Sequence, residues 1–214
     1  MSPAAIAEQA LAKGLRAAAI TDHNSALNCR AFDTCCRRLD ILPIFGIEVT
    51  SIEEAHVLCL FETVSQAENL GNIIYERLPD ILNNPEKFGD QVYVDEDENI
   101  LGEVDKYLVS AAEISLDDLC IIVHELNGMF IPAHIDKPVF SIPSQLGFLP
   151  EMNYDALETT TIPCPVDTGA YVLIKNSDAH YLEEVGKRYT VYNCESASFS
   201  GLINSIRNND ISTS

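Results

Sequence analysis

Apolar and polar positions divide the chain into short alternating runs. In PAAIAEQALAK (3–13), Ile6, Ala7, Ala10 and Leu11 fall on one stripe at helical spacing. Ser2 can cap that helix, Pro3 suits its first turn and Gly14 can end it, so a helix is predicted at the very start. RAAAI (16–20) follows as a continuous apolar run of strand length and passes directly into Thr21, Asp22, His23, Asn24 and Ser25.

The same order then recurs. A helix is predicted over about 27–38, then a strand in ILPIFGIEV (41–49), with Gly46 and Glu48 where the apolar run breaks. HVLCLF (56–61) reads as another strand, behind an acidic turn at Glu53 and Glu54, and residues 65–78 read as helix. The segment 79–113 is irregular, with DEDEN (95–99) set between QVYV and ILGEV as a solvated hairpin. We read it as an insertion within a single domain spanning 1–214.

Ser115 can cap LDDLCIIVHEL, whose Asp117 and Asp118 suit the positive end of a helix dipole. Gly128 ends that helix, and MFIPAH (129–134) again carries an apolar strand into a histidine. A Pro-rich loop (138–150), a short run near 156–158, AYVLIKNSDAH (170–180), YTVYN (189–193) and a final helix near 198–207 complete the chain. Strands alternating with helices, with polar residues at strand ends, predict an α/β fold. A barrel or an open parallel sheet with its site at the carboxyl edge is expected.

At 214 residues and 47% hydrophobic content the chain can bury a sizeable core. Its 33 acidic residues outnumber 13 basic ones for a net charge of -20, which repels long nucleic acid and anionic lipid. The charge does not oppose a small phosphorylated substrate where divalent metals dominate the local field. The seven cysteines are dispersed, odd in number and form no CxxC pair, so reduced thiols are expected, not disulfides or a structural zinc site. With no signal peptide and no apolar stretch of roughly 18 residues, a cytoplasmic location without membrane association is expected.

The candidate chemistry lies in the histidines and their acidic neighbours. His23, His56, His134 and His180 border short apolar runs, whereas His124 falls inside a predicted helix and reads as an exposed residue without function. Asp22, Glu48 and Asp178 stand beside them, and imidazole mixed with carboxylate suits zinc, manganese or iron better than calcium. Any one of these residues could cap a turn or end a strand. The same placement after several separate strands points to a metal centre. No Gly-rich phosphate loop, GxSxG elbow or GxGxxG fingerprint occurs. By strand alternation Cys59 points away from His56 and reads as a core thiol.

In order, GLRAAAITDHNS (14–25), GIEV (46–49), HVLCLF (56–61), IPAH (131–134) and KNSDAH (175–180) resemble the motifs of PHP domains, the polymerase and histidinol phosphatase family. The resemblance covers nearly the whole chain. It implies a distorted (β/α)7 barrel that binds up to three divalent metals at its carboxyl end and hydrolyses phosphate esters with a metal-activated water. By motif, Glu48 would bridge two metals, with His56 and His134 completing one site and Asp178 belonging to the other. His23 and His180 would hold the third, and Asp22 would orient a ligand without binding metal itself. Glu48, Asp178 and His180 would stand at the reacting centre, and Lys137 is a candidate phosphate contact.

The family's first strand bears a His-x-His motif ahead of the first helix, and this sequence begins at that helix. A truncated chain is therefore expected: one barrel strand short, holding fewer metals, keeping at most the Glu48, His56 and His134 site, and weakly active or inactive. The open sheet edge would favour instability or self-association. The expected function is a PHP-type phosphoesterase acting on a small phosphorylated metabolite or nucleotide. The alternatives are a non-catalytic metal-binding or interaction domain that retains the fold, and an exonuclease-like activity on short nucleic-acid ends.

Overall fold

Ser2 accepts a hydrogen bond from the Ala5 amide at 3.3 Å and opens α1 (Pro3–Ala12), and Gly14, at φ +74°, turns the chain out of it. The computed structural model describes all 214 residues. β1 (Ala17–Ile20), α2 (Cys29–Arg38), β2 (Leu42–Thr50) and β3 (His56–Phe61) follow, and a Thr63–Gln66 capping box starts α3 (Val64–Arg77). The segment 79–113 carries α4 (Pro85–Phe88) and an antiparallel hairpin of β4 (Val92–Val94) and β5 (Ile100–Glu103), with the acidic run 95–99 in its turn. Ser115 caps α5 (Leu116–Glu125), which leads into β6 (Met129–Pro132).

Beyond β6 the elements are shorter: α6 (Ile142–Leu146), β7 (Leu157–Glu158), β8 (Leu173–Ile174), a 3-10 turn at Leu182–Glu184, β9 (Thr190–Tyr192), α7 (Phe199–Arg207) and β10 (Ile211–Thr213). Two expectations change here. The predicted loop 138–150 contains α6, because Ser141 and Ser144 cap each other's backbone. The run 170–180 is strand only at Leu173–Ile174. No helix is long and apolar enough to cross a membrane.

The fold is α/β, but its ladders do not describe a closed parallel barrel. The central sheet has the order β1-β2-β3-β6, with β1 parallel to β2, β3 antiparallel to β2 and β6 antiparallel to β3. Separate pairs are formed by β4 with β5, β7 with β8 and β9 with β10. The reversal at β3 has a simple cause. Only residues 51–55 join β2 to β3, far too few for the crossover that parallel neighbours need.

Alternation along the strands sorts the two faces of the sheet. Phe45, Ile47, Val49, Val57, Cys59, Phe61 and Phe130 point toward α1, α2, α3 and α5 and join Phe32, Leu70, Ile74 and Leu119 in the main core. Each such large side chain contributes roughly 1.5–3 kcal/mol of burial, so this layer stabilises the domain. Ile44, Leu58, Leu60, Met129 and Ile131 point the other way, where Ile174 and Phe199, Leu202 and Ile206 of α7 cover them. Glu48 and His56 share that second face by the same two-residue period, Glu48 two residues beyond Gly46 and His56 two before Leu58. Apolar side chains thus fill the depth of this face and polar ones its rim.

Candidate metal centre

Antiparallel pairing places His56, the first residue of β3, opposite Thr50, the last of β2. β6 then runs parallel to β2 and delivers His134 to the same rim. On the other side the chain continues the β1–β2 ladder past the end of β1: the Glu48 amide donates to the Asp22 carbonyl at 3.2 Å, and the Asn24 amide donates to the Glu48 carbonyl at 3.0 Å. That register sets His23 beside Glu48. Asn24, fully buried at φ +49°, accepts from the Thr50 amide at 3.1 Å and donates to the carbonyls of Leu108 and Ser110 at 2.7 and 2.9 Å. The segment 79–113 is thereby tied to the rim.

Glu48 is the hub. Its Oε1 lies 3.0 Å from His56 Nδ1 and 3.3 Å from His134 Nε2, and its Oε2 lies 3.8 Å from His23 Nδ1. The imidazoles form a row, with ring centroids 6.0 Å apart from His180 to His23, 5.2 Å from His23 to His56 and 5.3 Å from His56 to His134. Ligating atoms of His23, Glu48 and His56 all lie within 4.8 Å of one another. Phe140 lies flat on His56, centroids 4.8 Å apart and planes 7° from parallel, and its carbonyl accepts from the His56 amide at 2.8 Å.

Buried polar atoms there lack partners. His23 Nδ1, His56 Nε2 and His134 Nδ1 are enclosed and make no hydrogen bond. Leaving such nitrogens unpaired costs free energy, and a divalent cation would satisfy imidazole and carboxylate donors together. The residues therefore fit a divalent metal ion. His134 and Asp178 also adopt left-handed backbone, at φ +31° and +48°, a strain on the order of 1–3 kcal/mol each that clusters at functional sites.

The electrostatics follow from burial and proximity. Burial favours a neutral Glu48, but hydrogen bonds from His134 and His56 outweigh it and hold its carboxyl well below the usual range. Burial also opposes charging of His134, yet the Glu48 carboxylate prevails and raises its pKa. For His23 burial wins over Glu48, and the imidazole is pushed toward its neutral, ligating form.

The predicted residues are not all equally close. His23, Glu48, His56 and His134 converge, with His23 as much a part of the Glu48 group as His134, whereas the resemblance pairs it with His180. His180 lies at the open end, its side chain 59% exposed and its Nδ1 3.8 Å from Asp178 Oδ1. Asp22 lies half-buried behind the row and accepts from Asn28 Nδ2 at 2.8 Å; desolvation raises its pKa despite that bond. Lys137 reaches Asp178 Oδ2 and forms an ion pair with it. His124 is not the exposed residue expected: it is half-buried, with Nε2 3.0 Å from Asp155 and Nδ1 3.6 Å from the Cys120 sulfur. All seven cysteines are free, and Cys59 faces the helices, away from His56.

Sequence reasoning missed Glu158. It is buried, accepts from the His134 amide at 2.9 Å and from Asn176 Nδ2 at 2.9 Å, and burial raises its pKa against both bonds. Its signal was present as an acid closing the short run 156–158, the strand-to-polar step already noted elsewhere. Beneath the rim a cavity of about 570 Å³ runs along the edge strand β1, with Ile44, Leu58 and Ile131 deep inside and Glu48, Glu158 and Asp178 at its polar end.

The family model described as the PHP domain matches residues 1–160, and the one described as PHP-associated matches residues 174–211. Among solved structures the chain is similar to the lesion-specific endonuclease PfuEndoQ from Pyrococcus furiosus, with a TM-score of 0.68 and 17% identity over 97% of this chain and 51% of that one. It is also similar to Endonuclease Q in complex with a 27-mer duplex carrying an abasic lesion, with a TM-score of 0.67 and 17% identity over 97% and 52% of the two chains. The chain thus spans about half the length of these proteins, and at this identity the likeness is one of fold. No curated protein matches the sequence.

Proposed function

The chain belongs to the PHP domain family, and from that membership we propose that it is a metal-dependent hydrolase of phosphate esters with its cation at Glu48. The observation that carries this reading is the group of His23, Glu48 and His56, whose ligating atoms all lie within 4.8 Å of one another, with His23 Nδ1 buried and unpartnered. His23, Glu48, His56 and His134 would hold the ion, with Asp178 and His180 extending the site toward solvent. A cation bound there supplies Lewis-acid stabilisation of the phosphoryl oxygens and makes water a stronger nucleophile at neutral pH.

The protein's own groups do the rest. Glu48 holds two imidazoles in ligating orientation through its hydrogen bonds, and Phe140 covers His56 and excludes water from one face. Glu158 fixes the backbone from which His134 projects. We assign a small phosphorylated metabolite or nucleotide as the substrate class.

A second reading, cleavage of nucleic acid, draws on the fold likeness to an endonuclease seen with a DNA duplex over 97% of this chain. That likeness leans against the expectation that charge alone excludes long nucleic acid, since cations at the rim offset local acidity.

Purified protein loaded with manganese or zinc, assayed on bis-p-nitrophenyl phosphate and on a nicked or abasic duplex, tests both readings. Metal retained by the wild type and lost in Glu48→Gln, together with turnover that Glu48→Gln abolishes, is the expected result. A wild type that retains no divalent metal, or whose turnover is indifferent to Glu48→Gln, sinks the proposal.

A further inference from the structure

The ion pair between Lys137 and Asp178 joins two unusually well-anchored segments. Asp178 leaves β8 on a loop whose Asn176 and Ser177 carbonyls are both gripped by Arg188, at 3.0 and 2.7 Å. Asn176 is held in turn by Glu158. On the opposite side, the Lys137 amide donates to the His134 carbonyl at 2.8 Å and the Lys137 carbonyl accepts from Ser141 Oγ at 2.7 Å. Its neighbour Asp136 is pinned by the amides and hydroxyls of Thr160 and Thr161.

Both backbones are held in place, so Lys137 and Asp178 face each other across a fixed frame and the ammonium rests on the carboxylate. Asp178 has a side chain only 12% exposed, with Oδ2 on Lys137 and Oδ1 turned toward His180. The carboxylate is therefore neutralised from within the protein. A divalent cation approaching the same oxygen would meet the ammonium at contact distance and would have to displace it, because the two repel at that range. The contact also changes the meaning of Lys137. A lysine waiting for a substrate phosphate would extend into the open rim, whereas this one is already committed to an acid.

We propose that Lys137 is an internal counter-cation that holds Asp178 out of metal coordination, so that the Glu48 group loads first and Asp178 binds a cation only after Lys137 is displaced. The proposal rests on the reading of the Glu48 group as a metal centre and adds to it a positioning residue that sets how many ions the rim accepts. It also predicts an effect in an unusual direction, because removing a residue from the site should improve metal binding there.

Calorimetric titration of the metal-stripped protein with manganese alone tests it, using the wild type, Glu48→Gln, Lys137→Met, Lys137→Arg and the double variant Lys137→Met with Asp178→Asn. The wild type should show a tighter event that Glu48→Gln removes, followed by a weaker one. Lys137→Met should tighten the weaker event about tenfold or more, in line with the loss of one adjacent charge, while leaving the tighter event alone. Lys137→Arg should behave as the wild type, and the double variant should lose the weaker event altogether. A weaker event that is unchanged or loosened in Lys137→Met overturns the counter-cation role, and inorganic phosphate binding that falls in the same variant would assign Lys137 to the substrate instead. Absence of any manganese binding, in every variant, overturns this proposal and the metal-centre reading together.

Discussion

The backbone amide of His134 donates a 2.9 Å hydrogen bond to the Glu158 carboxylate, so one imidazole at the rim takes its place from an acid on a different strand. Glu158 reaches Asn176 with its other oxygen and so couples the turn after β6 to the loop that carries Asp178. Glu158→Gln puts an amide donor where one of two N–H groups now points. We expect a loss of about 1–3 kcal/mol in urea unfolding and, because an outer partner of a ligand is disturbed, metal affinity lower by about 10–100-fold. Unaltered stability and affinity would show that the bridge does not hold His134.

Gly46 lies on the inner face of β2, two residues before Glu48. A Cβ there would sit 2.7 Å from Leu60 Cδ2 and 2.8 Å from the Cys59 carbonyl oxygen. The leucine tip can move, but the strand backbone cannot without disturbing the β2–β3 ladder. Gly46→Ala is therefore expected to destabilise the fold by about 1–3 kcal/mol in chemical denaturation. A variant as stable as the wild type would mean that the two strands can separate more freely than their pairing implies.

His134 and His180 should differ in what they contribute. His134 is buried against Glu48, whereas the His180 side chain is 59% exposed. Elemental analysis after dialysis should find the metal content of His134→Ala sharply reduced and that of His180→Ala little changed. If neither substitution alters it, the assignment of the rim histidines fails.

The acidic hairpin should loosen in acid. Asp95 accepts from the amides of Asp97 and Asn99 at 3.0 and 2.8 Å, and hydrogen bonding from Asn99 lowers its pKa below the ordinary 3.8. A carboxyl depressed in this way stabilises the turn fully above pH 3.8, and that stabilisation is lost as the pH falls through its lowered pKa. NMR of the Asp97 and Asn99 amide protons should show hydrogen bonding at neutral pH that weakens in acid, and its absence at any pH in Asp95→Ala. Amides that keep their bonds in the variant would contradict this. The turn matters for the rim because the Val94 amide donates to Asn28, which in turn holds Asp22.

Much of this arrangement is legible in the residues alone. Caps place α1 and α5, since Ser2 and Ser115 each satisfy a backbone amide three residues on. The histidine and carboxylate steps at the ends of apolar runs mark the rim residues for the same reason: a short run followed at once by polar groups is a local pattern. Glu158 escaped because β7 has only two residues, too brief for its period to be read. Lys137 is expected from the sequence as a phosphate contact, and its pairing with Asp178 is hidden there because the two lie 41 positions apart.

What the sequence determined by itself is which residues are candidates for the chemistry and which segments carry them, because helix caps, strand periods and donor types are properties of neighbouring positions. What only the tertiary structure decided is how those segments meet. The five-residue turn reverses β3 and sets His56 opposite Thr50, β6 follows its pairing to bring His134 to Glu48, and Lys137 neutralises Asp178 across the rim. Pairing direction and charge contacts depend on distances between residues far apart in the chain, and those distances exist only once the sheet has formed.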